Sequence, residues 1–439
     1  MSDAQQKPYS SNLRREVGIF GATMMGLGAI VGTGIFVSVG HAAGVAGDWI
    51  VVAIGIAAIV ATLNGLSSAQ LAAAHPVSGG TYEYGYRWLH PSLGFTAGWM
   101  FLCAKSSSAA TAALGFAGYG LRLFDIEAVN FKIPIGLLAL AVVVAFILLG
   151  VRWSSVFNAS VVSITLTSLA AFIAVGLFTV WFAPGNEAEL NAAIETQAAS
   201  PISGILEACA LMFVAYTGYG RIATLGEEIR NPSKSIPIAI IVTLAISMVL
   251  YLSVAWVSIN VLGATAFGNA VDSKAAPLEV VAQRFSIPQV GYVIAVGAVT
   301  SMLGVLINLV LGLSRVALAM GRRRDLPELF GRVDESGRAP SNAVLLVGLL
   351  IAILIFTGNV KTTWSFSAFT VLIYYAITNL AAIRMSDNER RYPRTVAWLG
   401  LLSCLFLAFW VEPEIWLVGL GLIAVGLLWW RTISGIRRP

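Results

Sequence analysis

The run Gly28-Ala29-Ile30-Val31-Gly32-Thr33-Gly34-Ile35-Phe36 constrains this chain more than any other stretch. It is apolar enough to be a membrane helix, yet it carries glycines at 28, 32 and 34. In hydrocarbon every backbone N–H and C=O needs a partner, so an interrupted helix at membrane depth persists only where protein buries it or where it lines a polar cavity. The interruption therefore marks a candidate binding site. Amides freed at Gly32, Thr33 and Gly34 would lie at a half-helix N-terminus, which attracts an anion such as a carboxylate, while freed carbonyls attract a cation. The same small residues also suit close helix packing, so the break alone leaves both readings open.

Composition places that run in a bilayer. Of 439 residues, 58% are hydrophobic and 11% charged, whereas roughly a quarter of a soluble domain is charged. Spans of about 20 apolar residues fall near 18–40, 48–74, 92–121, 133–150, 154–183, 202–226, 237–262, 288–320, 342–358, 362–384, 394–411 and 413–431. The expected fold is thus an all-α polytopic membrane protein of about twelve helices. The first span follows a polar tail without an obvious cleavage site, so it reads as a true span rather than a signal peptide. Arg14 and Arg15, Arg87, Arg152, Arg230 with Lys234, Arg322 to Arg324, Arg384 to Arg394 and Arg431 to Arg438 fall on one side of this layout. The positive-inside rule then puts both termini in the cytoplasm of a plasma membrane protein. The net charge of +5 is accounted for by these loop cations, and no nucleic-acid partner is expected.

A second interruption falls in the sixth span, at Phe213-Val214-Ala215-Tyr216-Thr217-Gly218-Tyr219-Gly220-Arg221. The two breaks occupy matching places in two five-helix halves, 18–183 and 202–384. Paired broken helices of this kind point to a secondary transporter with inverted repeats and a site at the midplane. The expected organisation is an N-terminal tail (1–17), this core (18–384), two further helices (394–431) and a short tail (432–439).

With those residues in view, the chain resembles amino acid permeases of the amino acid, polyamine and organocation (APC) superfamily. The likeness rests on the first-span run 28–36, His75-Pro76-Val77-Ser78-Gly79-Gly80-Thr81-Tyr82, Phe213 to Tyr219, Glu227-Glu228-Ile229-Arg230-Asn231-Pro232, and Ser314-Arg315 through Met320 to Asp325-Leu326-Pro327. It implies alternating access around a central amino acid site. The amides near Gly32, Thr33 and Gly34 would receive the substrate carboxylate, and the carbonyls of Ile30 and of Phe213 to Tyr216 the amino group. Thr217 and Gly218 form the second break, and Tyr219 resembles a gating aromatic. Arg221, Glu227, Glu228 and Arg315, at the same ends of the sixth and eighth helices, are gate candidates and equally suit interfacial anchoring.

Lys105 stands out as a lysine inside the third span, in Leu102-Cys103-Ala104-Lys105-Ser106-Ser107-Ser108. An intramembrane lysine marks function by default, although Ser106 to Ser108 and nearby carbonyls would also serve to cap it. It is a candidate both for substrate binding and for carrying a coupling proton. Some relatives place a lysine in the fifth helix, where Thr165 stands here. That leaves two sources for a coupling cation: Lys105 itself, or sodium held by Thr165, Thr300 and Ser301 with first-helix carbonyls.

The favoured expectation is a secondary active transporter of a small, neutral amino acid. An organic-anion or inorganic-ion carrier on the same fold, or a non-transporting sensor, is the alternative. An enzyme is not expected: His41, His75 and His90 lie at helix ends or in loops, and neither HExxH nor GxSxG occurs. Neither is ATP-driven transport, since there is no GxxxxGK[ST]. Cys103, Cys209 and Cys404 show no metal spacing, so no cofactor or metal is expected.

Overall fold

A computed structural model describes residues 17–75, 79–124, 129–149, 155–182, 202–224, 229–333 and 340–436. The first apolar run does break. Helix α1 (Ile19–Ile30) stops where the Val31 N–H turns back to the Leu27 carbonyl (2.7 Å) and the Gly32 N–H to that of Ile30 (3.0 Å). The chain restarts in a π turn, Gly34–Ser38, that runs on into α2 (Val39–Ala46). Gly47, at φ 61°, allows the reversal into α3 (Ile50–Ala74), a backbone conformation open to glycine and costly for other residues.

The remaining helices follow the apolar spans. They are α4 (Thr81–Trp88), α5 (Pro91–Leu123), α6 (Lys132–Leu148) and α7 (Ser155–Phe182). The second broken helix is α8 (Ile202–Tyr216), a 3-10 turn at Thr217–Tyr219, and α9 (Gly220–Thr224). After it come α10 (Pro232–Leu262), α11 (Ala264–Lys274), α12 (Pro277–Ala282), α13 (Val290–Arg322) and α14 (Ser341–Ile355). The chain ends with α15 (Val360–Arg384), α16 (Arg394–Ala408) and α17 (Pro413–Ile436). Among the described residues, seven stretches are long and apolar enough to cross a membrane, the first of them, Ile19–Ala74, holding α1 to α3, and α6, α14 and α16 are shorter apolar helices. Together with α5, and counting each broken helix once, they correspond to the twelve expected spans, with α4, α11 and α12 between them. Starts are set locally: Pro91 and Pro232 sit in first turns, where proline forfeits no helical bond. The Asn359 carboxamide caps α15 by accepting from the Lys361 and Thr362 amides.

Packing repeats across the two halves. Helix α1 packs on α7 and α10, and its counterpart α8 packs on α15 and α3. Helix α5 runs against α6 and α15, just as α13 runs against α14 and α7, while α5 meets α13 and α3 meets α10. Each pairing has its image under exchange of the first five spans with the second five, the arrangement expected of an inverted repeat. The two breaks meet at its centre: a Cβ on Gly218 would come within 2.5 Å of the Ala29 carbonyl carbon and oxygen.

Candidate functional site

Between the breaks lies a cavity of about 1120 Å³, its open mouth included. Ile30, Thr33 and Gly34 line it from the first broken helix, Thr217 and Gly218 from the second, and Lys105 from α5. Arg221 and Arg315 line it toward the face that carries both described chain ends, together with Gly79 and Gly80.

Thr33 and Gly34 stand at the start of the second half-helix, an end that carries partial positive charge. The Thr33 hydroxyl is buried and has no hydrogen-bond partner within the protein, which leaves it for a ligand. Gly32 lies just behind the lining. Its carbonyl accepts from the Ile35 and Phe36 amides (both 3.1 Å), and a side chain there would strike Val305. The carbonyls of Ile30 and Ala215 share the Tyr251 hydroxyl (3.0 Å to each), which ties the two breaks to α10.

Lys105 donates through Nζ to Thr217 Oγ1 (2.9 Å), whose own proton goes to the Val214 carbonyl (2.7 Å). The lysine therefore joins α5 to the break in the sixth span. The neighbouring serines do not cap it. Ser107 donates to the Thr363 carbonyl (2.6 Å) and Ser108 pairs with Ser367 (2.7 Å), so these hydroxyls bind α5 to α15. Lys105 makes no ion pair with any described carboxylate, and no aspartate or glutamate is among the residues lining the cavity.

Phe213, Tyr216 and Tyr219 are buried beside the cavity rather than lining it. Phe213 meets the Tyr375 ring edge-on at 5.6 Å, Tyr216 packs on Tyr251 at 5.0 Å, and Tyr219 lies against Tyr375 at 5.6 Å. The aromatics that do face it are Phe101, Trp364, Tyr374 and Tyr375, residues that sequence reasoning did not single out. Asn308, seven residues and so about two helical turns beyond Ser301, also lines it; a polar residue on that stripe was the available signal.

The coupling-ion candidates separate. Ser301 donates to the Val31 carbonyl of the first break (2.5 Å). Thr300 bonds to Val296 and Gly297 of its own helix, and Thr165 to Val161 of its own. Of the gate candidates, Arg221 and Arg315 line the mouth, and Glu227 and Glu228 lie outside the described residues.

Below the mouth, α4 is held by a buried carboxylate. Asp325 Oδ2 accepts from the Tyr82 (2.7 Å) and Tyr86 (2.6 Å) hydroxyls, and Arg323 lies over both rings and pairs with Glu83. Burial and the Asp325 charge push both phenols above their ordinary range, so they remain O–H donors. At the opposite end the cavity is shut. Helix α2 crosses α11 where Gly44 faces Gly268, the Tyr119 hydroxyl donates to the Phe36 carbonyl (2.7 Å), and Arg122 grips Glu279 in a two-pronged pair (2.8 and 3.1 Å).

Comparison with known proteins agrees with this architecture. The family described as Amino acid permease matches residues 21–437. An uncharacterized transporter of Mycobacterium tuberculosis is 36% identical over 97% of this chain and 92% of its own length. Branched-chain amino acid permease BcaP of Bacillus subtilis is 27% identical over 90% of this chain and 88% of its own. Cationic amino acid transporter 4 of Homo sapiens is 27% identical over 88% of this chain and 62% of its own.

Proposed function

This chain belongs to the amino acid permease family, a family of transporters rather than enzymes, and on that premise we propose that it moves a small amino acid across the plasma membrane by alternating access, with both termini cytoplasmic. The observation that carries the proposal is the unpartnered Thr33 hydroxyl and Gly34 at a half-helix start, facing Thr217 and Gly218 at the second break across one cavity. The first break suits a carboxylate and the carbonyls around both breaks suit an amino group, by the dipole argument.

On this reading the cavity opens to the cytoplasm at Arg221 and Arg315, and Lys105, which links α5 to the second break, is a point at which substrate and proton act on the same contact. Proton coupling or exchange is favoured over sodium. Ser301 already satisfies the Val31 carbonyl, while Thr165 and Thr300 turn to their own helices. The charge of the substrate side chain depends on what Lys105 pairs with.

Counterflow of radiolabelled amino acids in proteoliposomes, at two pH values with and without sodium, tests the proposal. Exchange of amino acids that is indifferent to sodium is the expected result. Binding without any flux would make the protein a sensor, and sodium dependence would return the coupling role to Thr165, Thr300 and Ser301.

A further inference from the structure

The central cavity is lined by three cationic side chains and, among the described residues, by no anionic one. Arg315 and Arg221 stand toward the mouth, and Lys105 is bonded to Thr217 at the second break. Lys105 is only 9% exposed, and its hydrogen-bond partner is a neutral hydroxyl whose proton is already committed to Val214. A buried ammonium without a counter-ion is costly, and that cost is relieved by a ligand that supplies the negative charge. The α-carboxylate of an amino acid does not fill this role if it is held at the start of the second half-helix by Thr33 and Gly34.

We propose that Lys105 pairs with a second acidic group of the substrate, so that the transported species is an amino acid with an acidic side chain. This rests on the reading of the cavity as an amino acid site, and it replaces the neutral substrate with an anionic one. Lys105 is then the specificity-determining residue, and Thr217 holds its ammonium toward the cavity until the substrate arrives. Arg221 and Arg315 add to the selection at the entrance. Cations of one sign along a narrow cleft with low-dielectric walls concentrate anions and repel a lysine or arginine side chain.

The test uses the full chain in proteoliposomes and compares pairs matched in size. Counterflow of glutamate is set against glutamine, and aspartate against asparagine, with arginine and the amino-free dicarboxylate succinate as further arms. Native protein, Lys105→Gln and the charge-retaining Lys105→Arg are run in parallel, with ligand-induced thermal stabilisation as a binding readout independent of flux. The acid is expected to exceed its amide at least about tenfold in kcat/KM, as a polar site discriminates against an analogue that leaves it unpaired. Lys105→Gln should collapse that ratio, read in flux or in ligand-induced stabilisation, and Lys105→Arg should keep a preference for the acid.

Equal exchange of acid and amide by the native protein, or an acid preference untouched in Lys105→Gln, overturns the inference and leaves the amino acid site standing. Exchange of succinate but of no amino acid, lost in Lys105→Gln, upholds the pairing with an anion and overturns the amino acid reading. No exchange or stabilisation by any arm overturns both.

Discussion

The two ends of the central cavity are built from different materials. At the far end, closure is backbone on backbone and charge on charge: Gly44 against Gly268, Tyr119 bridging Phe36 and the Leu278 amide, and a nearly buried Arg122–Glu279 pair that also accepts from Gln283. At the end nearer the described chain ends, Arg221 and Arg315 line an opening, and beneath it Asp325 holds α4 through the Tyr82 and Tyr86 hydroxyls. Packed interfaces are bistable rather than gradually deformable. This conformation is therefore closed at one end by an interface that must come apart as a unit, and open at the other, where Arg221 and Arg315 line the cleft.

The closed end should fail most completely if the glycine crossing is filled. A Cβ on Gly268 would lie 2.4 Å from the Gly44 Cα and 3.0 Å from its nitrogen, and backbone has no rotamer to move aside. Overpacking forces backbone shifts at such a crossing, and here the shift falls on the closure itself, so the effect on exchange is total. Gly268→Leu is expected to hold α2 and α11 apart and to abolish exchange while the protein still reaches the membrane. Thiol labelling of a cysteine placed on α2 should rise. Normal flux with unchanged labelling would mean that the far end is not a gate.

Next in size is the pair itself. Removing one partner of a buried ion pair costs about 3–5 kcal/mol, so Arg122→Met should destabilise the closed far end sharply. The double change Arg122→Met with Glu279→Gln should recover much of that loss. The readouts are thermal unfolding in detergent and the same labelling rate. Equal stability of the single and double variants would show that Arg122 acts through its other contacts.

The closed end is also the part least legible in the sequence. Helices α11 and α12 occupy a stretch, 263–287, that span counting leaves as a connection, because it lacks a run long and apolar enough to cross and is punctuated by Gly263 and Pro277. The two breaks were legible because glycines clustered with hydroxyl residues weaken an apolar helix at the depth where lipid leaves freed backbone groups unpaired. Lys105 announced itself by a similar cost, that of a charge inside a span, and its partner Thr217 came from the second break. Tyr374 and Tyr375 did not announce themselves. An aromatic in a membrane helix looks alike whether it faces a cavity, a neighbour or lipid, and only the rotation of α15 distinguishes them. Tyr82 and Tyr86 fall between the expected spans, and the acceptor they share, Asp325, lies more than 200 residues away in the chain, so only the packing of α4 shows that they converge on it.

A smaller effect is expected at the open end. A hydrogen bond to a charged acceptor contributes about 1.5–3 kcal/mol, so Asp325→Asn, which keeps the shape and removes the charge, should lower the unfolding temperature while far-end labelling stays at the native rate. If Asp325→Asn also opens the far end, the two ends are coupled through α5 and α13, and the contrast between them is one of contacts, not of independent stability.

The smallest effect is a pH dependence confined to the open end. The Arg87 guanidinium donates to His75 Nδ1 (2.8 Å), so that nitrogen carries no proton. Burial, and after it the Arg87 charge, hold the imidazole below its ordinary 6.5, with Glu83 and Glu389 acting in the opposite sense. A histidine whose pKa is lower in the folded state binds fewer protons there than in the unfolded chain, so its contribution leaves stability unchanged well above 6.5 and subtracts from it as pH falls below that value. The native protein is therefore expected to lose thermal stability between neutral and mildly acid pH, and His75→Gln to flatten that slope without altering stability at neutral pH. The imidazole is half-buried at the end of α3, so solvent screening keeps the change small. A slope unchanged in His75→Gln would assign the acid sensitivity to groups elsewhere, and the contrast between the two ends would then rest on packing and ion pairing alone.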